Sequence, residues 1–366
     1  MNRSRLLIPQ SPTHALHNRV RRVRAAAGIT ITEFMIGLAL SLLVVLFAVS
    51  LFLSTRITYI TQDQNAKLNE TGRFVSQTLT RLIRQTAFVP IGDEDGTPLQ
   101  ITKANFQHGI HGYDSGFISQ ADIENPPLPP VDPAKIDCPA GAPGTTGPGL
   151  NSCDSITLRF FGAGIPGSTD GSITDCVGQP IRAPLAAGGG DPLTAEIDRA
   201  VNHLFLSMSS PDAQGVREPQ LSCRWRSLGL GAVTTQPLAS GIESLQFLYG
   251  VESRGQSLAF LTAEQITGLV VPPNPSLGAS VPNSPWLQVV AVRYAFIIRS
   301  ARGARTDLDT TVYSLFGTEK TPGAYPYQLD AGTQIDASTL PVEERTRVRK
   351  VFSGVVHLRN ESGGSS

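Results

Sequence analysis

Hydrophobic and polar positions divide the chain into successive regimes. From Phe34 to Leu53, twenty consecutive residues (FMIGLALSLLVVLFAVSLFL) carry no charge and no proline. At about 1.5 Å per residue this run spans roughly 30 Å, the hydrocarbon thickness of a bilayer. A buried core helix usually keeps a polar stripe, whereas this run is apolar all round, which favours a membrane span. From Ser54 to Ala87 the pattern turns amphipathic, with no proline and Gly72 as its single glycine. Leu68, Val75, Leu79, Leu82 and Thr86 share one helical face, with Phe74 and Ile83 beside it; Lys67, Glu70, Arg73, Gln77, Arg81 and Arg84 occupy the other. The spacing predicts a helix that packs on a globular domain and is ended by Pro90 and Gly92. No heptad is sustained, which counts against a coiled-coil stalk. A straight helix over 29–89 would be roughly 90 Å long.

Beyond the helix the period shortens. Residues 90–150 show no strong periodicity and carry Asn125-Pro126-Pro127-Leu128-Pro129-Pro130 and a Gly/Pro run from Pro139 to Gly149, so they read as a loop region. Strand patterns then dominate over 151–360: Ile156–Phe161, Leu204–Met208, Leu221–Arg226, Ile242–Val251, Trp286–Ile298 and Arg347–Arg359. In Trp286–Ile298, Val290, Val292, Tyr294 and Phe296 fall on one face; in Arg347–Arg359, Val348, Lys350, Phe352 and Gly354 alternate. Thr262–Leu269 reads as a short helix, and residues 361–366 as a polar tail. Strands after one N-terminal helix imply an α+β fold, with the helix laid across a mostly antiparallel sheet.

Charge adds an asymmetry. The 366-residue chain has 30 Lys+Arg and 30 Asp+Glu, and a neutral chain is a poor candidate for general nucleic-acid binding. Six arginines (Arg3, Arg5, Arg19, Arg21, Arg22 and Arg24) and no acidic residue lie within 1–28. The remainder therefore holds 24 basic against 30 acidic residues. A basic segment ahead of an apolar run places 1–28 in the cytoplasm and the body outside it. A cleavable secretory signal would have an apolar core of about 7–15 residues followed by a small-residue site. Here the small stretch Ala25-Ala26-Ala27-Gly28 precedes the apolar run instead. Glu33 is the single charge at the edge of that run. A carboxylate at membrane depth costs at least ~2–3 kcal/mol and is a functional hypothesis by default; an interfacial Glu that snorkels to the headgroups is the competing reading.

A basic leader, Gly28, apolar Ile29, Glu33 four positions later and about twenty apolar residues together resemble the class III signal of type IV prepilins and pseudopilins. The resemblance implies that a prepilin peptidase cuts between Gly28 and Ile29, that the new amine of Ile29 is methylated, and that Glu33 serves subunit assembly. Ile29 stands where Phe is commonest in that family, and Thr32 where an aliphatic residue is usual; neither departure touches Gly28 or Glu33. The expected division is a cleaved leader over 1–28, a transmembrane assembly helix over 29–53, its amphipathic continuation over 54–89, the loop region, the β-rich exported head over 151–360 and the tail. Further blocks resemble PilW-type minor pilins in order: Gly72–Phe88, Asp170–Cys176, Ile242–Gly250, Val289–Ser300, and Val351-Phe352 leading to Leu358-Arg359-Asn360. What this implies is a pilin-like lollipop, a single-pass inner-membrane protein with a periplasmic head, later at the pilus or cell surface. Its implied partners are other minor pilins, the major pilin, the prepilin peptidase, the inner-membrane assembly machinery and a tip adhesin.

Cys138, Cys153, Cys176 and Cys223 all follow the apolar run, and an exported chain with an even count is expected to be oxidised. Of the three pairings that four cysteines allow, Cys138–Cys153, closing the Gly/Pro-rich loop, and Cys176–Cys223, joining the early strand regions, are favoured. No C-x-x-C pair or His cluster supports zinc. His108 and His111 lie in a Gly-rich stretch expected to be a surface loop; Asp93-Glu94-Asp95-Gly96 lacks calcium-loop spacing. Ala187-Gly188-Gly189-Gly190-Asp191 lacks the Lys-Ser/Thr of a phosphate loop. No catalytic residue, metal or cofactor is expected. The function expected is that of a minor pilin helping to initiate a type IV pilus, about 338 mature residues being large for a repeating subunit. The alternatives are a minor pseudopilin of type II secretion and a membrane-tethered exported enzyme or receptor.

Overall fold

The computed structural model describes residues 28–90, 108–124, 136–137, 154–184, 199–213, 215–226, 233–251, 259–270, 284–317 and 334–360. Two compact units divide at Ile57/Thr58. In the first, helix α1 begins at Ile31, and every described residue from Gly28 to Arg56 is exposed. The helix can carry its apolar residues there because all its backbone groups bond internally. Ser41 and Ser50 donate to the carbonyls of Leu38 (2.8 Å) and Phe47 (2.9 Å), so the hydroxyls in the apolar run are satisfied within the helix itself.

The second unit contains the rest of α1 (Ile31–Gln85 in full), which buries the predicted face: Leu68, Val75, Leu79, Leu82, Ile83 and Thr86. Two members of the predicted pattern differ. Phe74 is 47% exposed, and Arg81, expected on the outer face, is half-buried and donates to Thr174 Oγ1 and the Asp175 carbonyl. The helix also stops earlier than Pro90 requires. Ala87 adopts a left-handed φ of 60°, its N–H donates to the Arg159 carbonyl (2.9 Å), and Phe161 N–H donates to the Phe88 carbonyl (3.0 Å). Docking on a strand end, rather than proline, terminates the helix.

Thirteen strands are described. A five-stranded antiparallel sheet has the order β1 (Ile110–Tyr113), β4 (Ser155–Phe160), β5 (Ala200–Met208), β6 (Pro219–Arg226) and β7 (Thr234–Ser240). A four-stranded antiparallel sheet has the order β13 (Arg349–His357), β10 (Val289–Arg299), β8 (Ile242–Val251) and β9 (Ala259–Leu261). Two-stranded ribbons pair β2 (Gly116–Phe117) with β3 (Ile136–Asp137), and β11 (Val312–Ser314) with β12 (Gln334–Asp336). Helices α2 (Gln120–Glu124) and α3 (Ala263–Thr267) are short. This is the α+β class expected: a long N-terminal helix followed by antiparallel sheets.

One apolar core joins α1 to both sheets, through Leu79, Leu82 and Ile83 on the helix, Ile156, Leu158 and Leu204 on the first sheet, and Val292, Tyr294, Phe296 and Ile298 on the second. Alternation puts the last four on one face of β10, as a period of two requires. Val290 leaves that row because the β8–β10 register shifts between Val289 and Ala291. The opposite face of the second sheet is covered by Leu315 and Phe316, which pack on Leu248 and Ala295. Gly72 allows the helix close to β13: a Cβ there would lie 2.2 Å from Phe352 Cζ.

Several elements depart from the expected pattern. Residues 108–124 and 136–137, expected as loop, include β1, α2 and the β2–β3 ribbon. His111, expected in a surface loop, is buried on β1 against Trp286 (ring centroids 4.4 Å) and Tyr113 (4.5 Å). Trp286 opens a 3-10 turn (Pro285–Gln288) instead of the strand, its N–H accepted by the Ser284 hydroxyl (3.4 Å). The last strand starts at Arg349, because Arg347 is occupied by ion pairs before it.

Candidate functional site

The site read from the sequence lies at the start of α1. Gly28 and Ile29 precede the helix, and Thr30 takes the position just before its first residue. Thr30 and Glu33 bond reciprocally: Glu33 Oε2 accepts from the Thr30 N–H and from its hydroxyl (both 3.0 Å), and Glu33 N–H donates to Thr30 Oγ1 (3.3 Å). This is a capping box, Thr-x-x-Glu, which satisfies N–H groups that a helix start otherwise leaves without a partner. It also sets a carboxylate against the positive end of the helix dipole. Glu33 Oε1 accepts no hydrogen bond among the described residues. The carboxylate thus has one oxygen held by its own chain and one open. The Thr-x-x-Glu spacing carries the signal for this cap in the sequence itself.

Of the four cysteines, Cys176 and Cys223 form a disulfide, as favoured; Cys138 and Cys153 lie outside the described residues. The bridge pins the turn region around Thr174–Pro180 to β6. Cys176 N–H also donates to Asn202 Oδ1 (2.8 Å), and Asp175 Oδ1 accepts from Val177 N–H (3.0 Å) and Gln179 N–H (2.8 Å). The Arg81 contacts therefore attach the helix to a fixed loop. Asn360 Nδ2 donates to the Thr86 carbonyl (3.0 Å), tying the end of the described chain to the end of α1.

The densest group of titratable side chains lies elsewhere, at one end of the second sheet. Arg299 contacts Glu218 (2.9 Å), Glu344 (3.0 Å) and Glu243 (3.6 Å). Arg347 pairs with Glu218 (2.7 Å) and Glu344 (2.7 Å), and Arg302 with Glu344 (2.6 Å). Arg349 grips both oxygens of Glu243 (2.7 and 3.2 Å). Burial alone would raise the Glu344 carboxyl, but Arg299, Arg347 and Arg302 hold it below the usual carboxylate range. Burial likewise opposes ionisation of Asp309, and the Tyr313 hydroxyl, the Thr311 N–H and Arg305 outweigh it. Tyr313 is pushed up to about 12 by burial and by its bond to Asp309. Perturbed groups cluster at active sites, but also in structural ion-pair networks. Here each carboxylate is matched to arginine or backbone, which fits a structural knot. No sequence signal marked it, because its members come from four separated segments.

The buried histidine His203 is also structural. Its pKa is lowered well below the ordinary value, first by burial and then by Arg224, Arg159 and His111. Nε2 accepts from the Ile118 N–H (3.3 Å), so Nδ1 carries the proton and donates to Thr157 Oγ1 (2.9 Å). No group of three His, Cys, Asp or Glu residues is placed to hold a metal among the described residues.

A helix whose apolar first half is, by length and composition, able to cross a membrane precedes antiparallel sheets, an α+β arrangement. The family model described as Type IV Pilus-assembly protein W matches residues 209–360, so the resemblance read from the sequence holds over that segment. Among solved structures, the chain is similar to a type IV-like pilin from Thermus thermophilus, TTHA1219, at 12% identity, covering 57% of this chain and 79% of that one with a TM-score of 0.28. No curated protein matches the chain.

Proposed function

We propose that this chain is a minor pilin that helps initiate type IV pilus assembly within a tip or priming complex. On this reading α1 holds it in the inner membrane, with 1–28 cytoplasmic and the body periplasmic; prepilin peptidase cuts after Gly28, the Ile29 amine is methylated, and the chain then passes from the membrane to the pilus. Other minor pilins and the major pilin are its partners. The observation that carries the reading is Glu33. It heads an uncharged apolar run, and only one of its carboxylate oxygens is held by the helix cap. Cleavage creates a cation at Ile29, roughly 6 Å back along the helix axis at about 1.5 Å per residue. An unpaired carboxylate in a low-dielectric bundle is costly, and a paired one is much less so. A neighbouring subunit staggered along the axis brings its own Ile29 amine to the open Oε1, setting register while the apolar faces supply the packing.

The capping box makes this reading testable against its simplest rival, a Glu that only caps. Glutamine can replace glutamate in a capping box but carries no charge. Glu33→Gln and Glu33→Ala are therefore both expected to lose surface piliation, with membrane abundance and leader cleavage intact, in a strain carrying each as its only copy. Thr30→Val removes the cap alone, about 0.5–2 kcal/mol at the helix start, and is expected to leave piliation largely intact. Normal piliation with Glu33→Gln and loss with Thr30→Val would reduce Glu33 to a cap. An intact mass that starts inside or after Phe34–Leu53 would replace the pilin reading with an ordinary signal peptide.

A further inference from the structure

The outer face of the C-terminal half of α1 does not simply meet solvent. It borders a groove of about 710 Å³ lined also by Phe88, Ser172, Ile173, Arg359 and Asn360. That volume falls within the roughly 300–1,000 Å³ of specific binding clefts. Gln77, Arg81 and Arg84 form the helical side, at spacings that stack on one face. Among the described residues, the charged ones that line it are Arg81, Arg84 and Arg359, with no carboxylate. Arg81 donates to neutral acceptors, and Arg84 and Arg359 have no ion-pair partner among the described residues. Arg81 lies in the field of Asp175, which leaves Arg84 and Arg359 as the cations that stand out on a body whose residues after Gly28 carry an excess of acid.

The groove is also preformed. The Ser172 side is held by Asp170 Oδ1, which accepts the Ser172 N–H (2.8 Å) and hydroxyl (2.7 Å), and by the Cys176–Cys223 bridge just beyond. The Asn360 side is tied to the Thr86 carbonyl. Arginines form charge-assisted hydrogen bonds with carboxylates, and walls that are already held cost less entropy on binding. Amide side chains suit a peptide backbone, and Phe88 and Ile173 offer apolar contact. A long polyanion such as nucleic acid would meet the excess acid of the body as well as the groove, whereas a short segment meets mainly the local cations.

We propose that this groove docks an extended acidic segment of a neighbouring exported subunit, its carboxylates seated on Arg84 and Arg359. The surface is separate from Glu33, and its test needs no filament, so failure here and failure of the assembly reading are distinguishable. The full chain, purified in detergent, is titrated against fluorescein-labelled hexaglutamate and read by fluorescence anisotropy. Binding is expected to weaken with rising salt and to fall at least tenfold in Arg84→Glu/Arg359→Glu, with unchanged thermal melting. Arg217→Glu, an exposed reversal away from the groove, should leave it within twofold. Equal loss with Arg217→Glu would mean that net charge alone drives binding and would overturn the proposal. So would absence of binding to the wild-type chain, or tighter binding of a hexanucleotide or of phosphatidylglycerol vesicles. Self-association abolished by the double reversal, with hexaglutamate unbound, would assign the groove to a second copy instead.

Discussion

Glu243 offers a quantitative test of how the body is held together. It lies on β8, 1% exposed, and receives Arg349 Nε at 2.7 Å and Nη2 at 3.2 Å, with Arg299 Nη1 at 3.6 Å. Truncation by Glu243→Ala takes away two of the three acceptors of a fully buried guanidinium and one of the three carboxylates around Arg299. Breaking a buried pair on one side costs about 3–5 kcal/mol, because a buried charge is left uncompensated. Domains of this kind hold about 5–15 kcal/mol in total, so the variant should give up a large share of its stability. Arg349 keeps its bond to the Glu344 carbonyl (3.0 Å) and stands 3.6 Å from Asp309, which places the loss toward the lower end. Replacing both partners by apolar residues, Glu243→Leu with Arg349→Met, should recover part of it, since no buried charge then lacks its partner. Urea unfolding of the full chain in detergent, followed by Trp225 and Trp286 fluorescence, measures both. A Glu243→Ala midpoint equivalent to less than about 1 kcal/mol of loss would place it among ordinary surface substitutions and refute the reasoning.

Acid should weaken the same knot. The carboxyls of Glu344 and Asp309 are held below their ordinary values in the folded state, so their stabilising contribution is complete above the unfolded pKa. It is lost as pH falls through the depressed folded values; urea midpoints measured down from neutral pH should decline in the acid range, and a flat profile would contradict the assignment. Cys176 and Cys223 are 47 residues apart, and a loop of that length contributes about 4 kcal/mol in the chain-entropy model. Reduction, or Cys176→Ser with Cys223→Ser, should lower stability by up to that amount and loosen the loop that receives Arg81, read as a shift in the urea midpoint and faster amide exchange at 172–177.

What the sequence disclosed depended on whether the physics was local. The apolar run at 34–53 and the face Leu68–Leu79–Leu82 repeat within a few turns, so their period alone identifies the helix. Strands β8 and β10 read clearly for the same reason: burial on both faces turns them into long apolar runs. Strand β7 did not, because its residues are mostly exposed and include Pro237, tolerated at the sheet edge, so no alternation marks it. The helix ends before Pro90 because a contact with Arg159, more than seventy residues away, decides it. Nothing local marks Arg299 and Arg349, because their carboxylates arrive from residues 218, 243 and 344. The candidate site divides in the same way. Gly28, Ile29, Thr30 and Glu33 lie within six residues, so both the signal-like pattern and the cap spacing can be read locally. The groove was not: Gln77, Arg81 and Arg84 look like any solvated face until the loop at 172–173 and the chain at 359–360 are folded beside them. A polar helix face acquires binding chemistry only through what long-range folding sets opposite it, which is why charge reversal at Arg84 and Arg359 tests something the helix pattern alone does not contain.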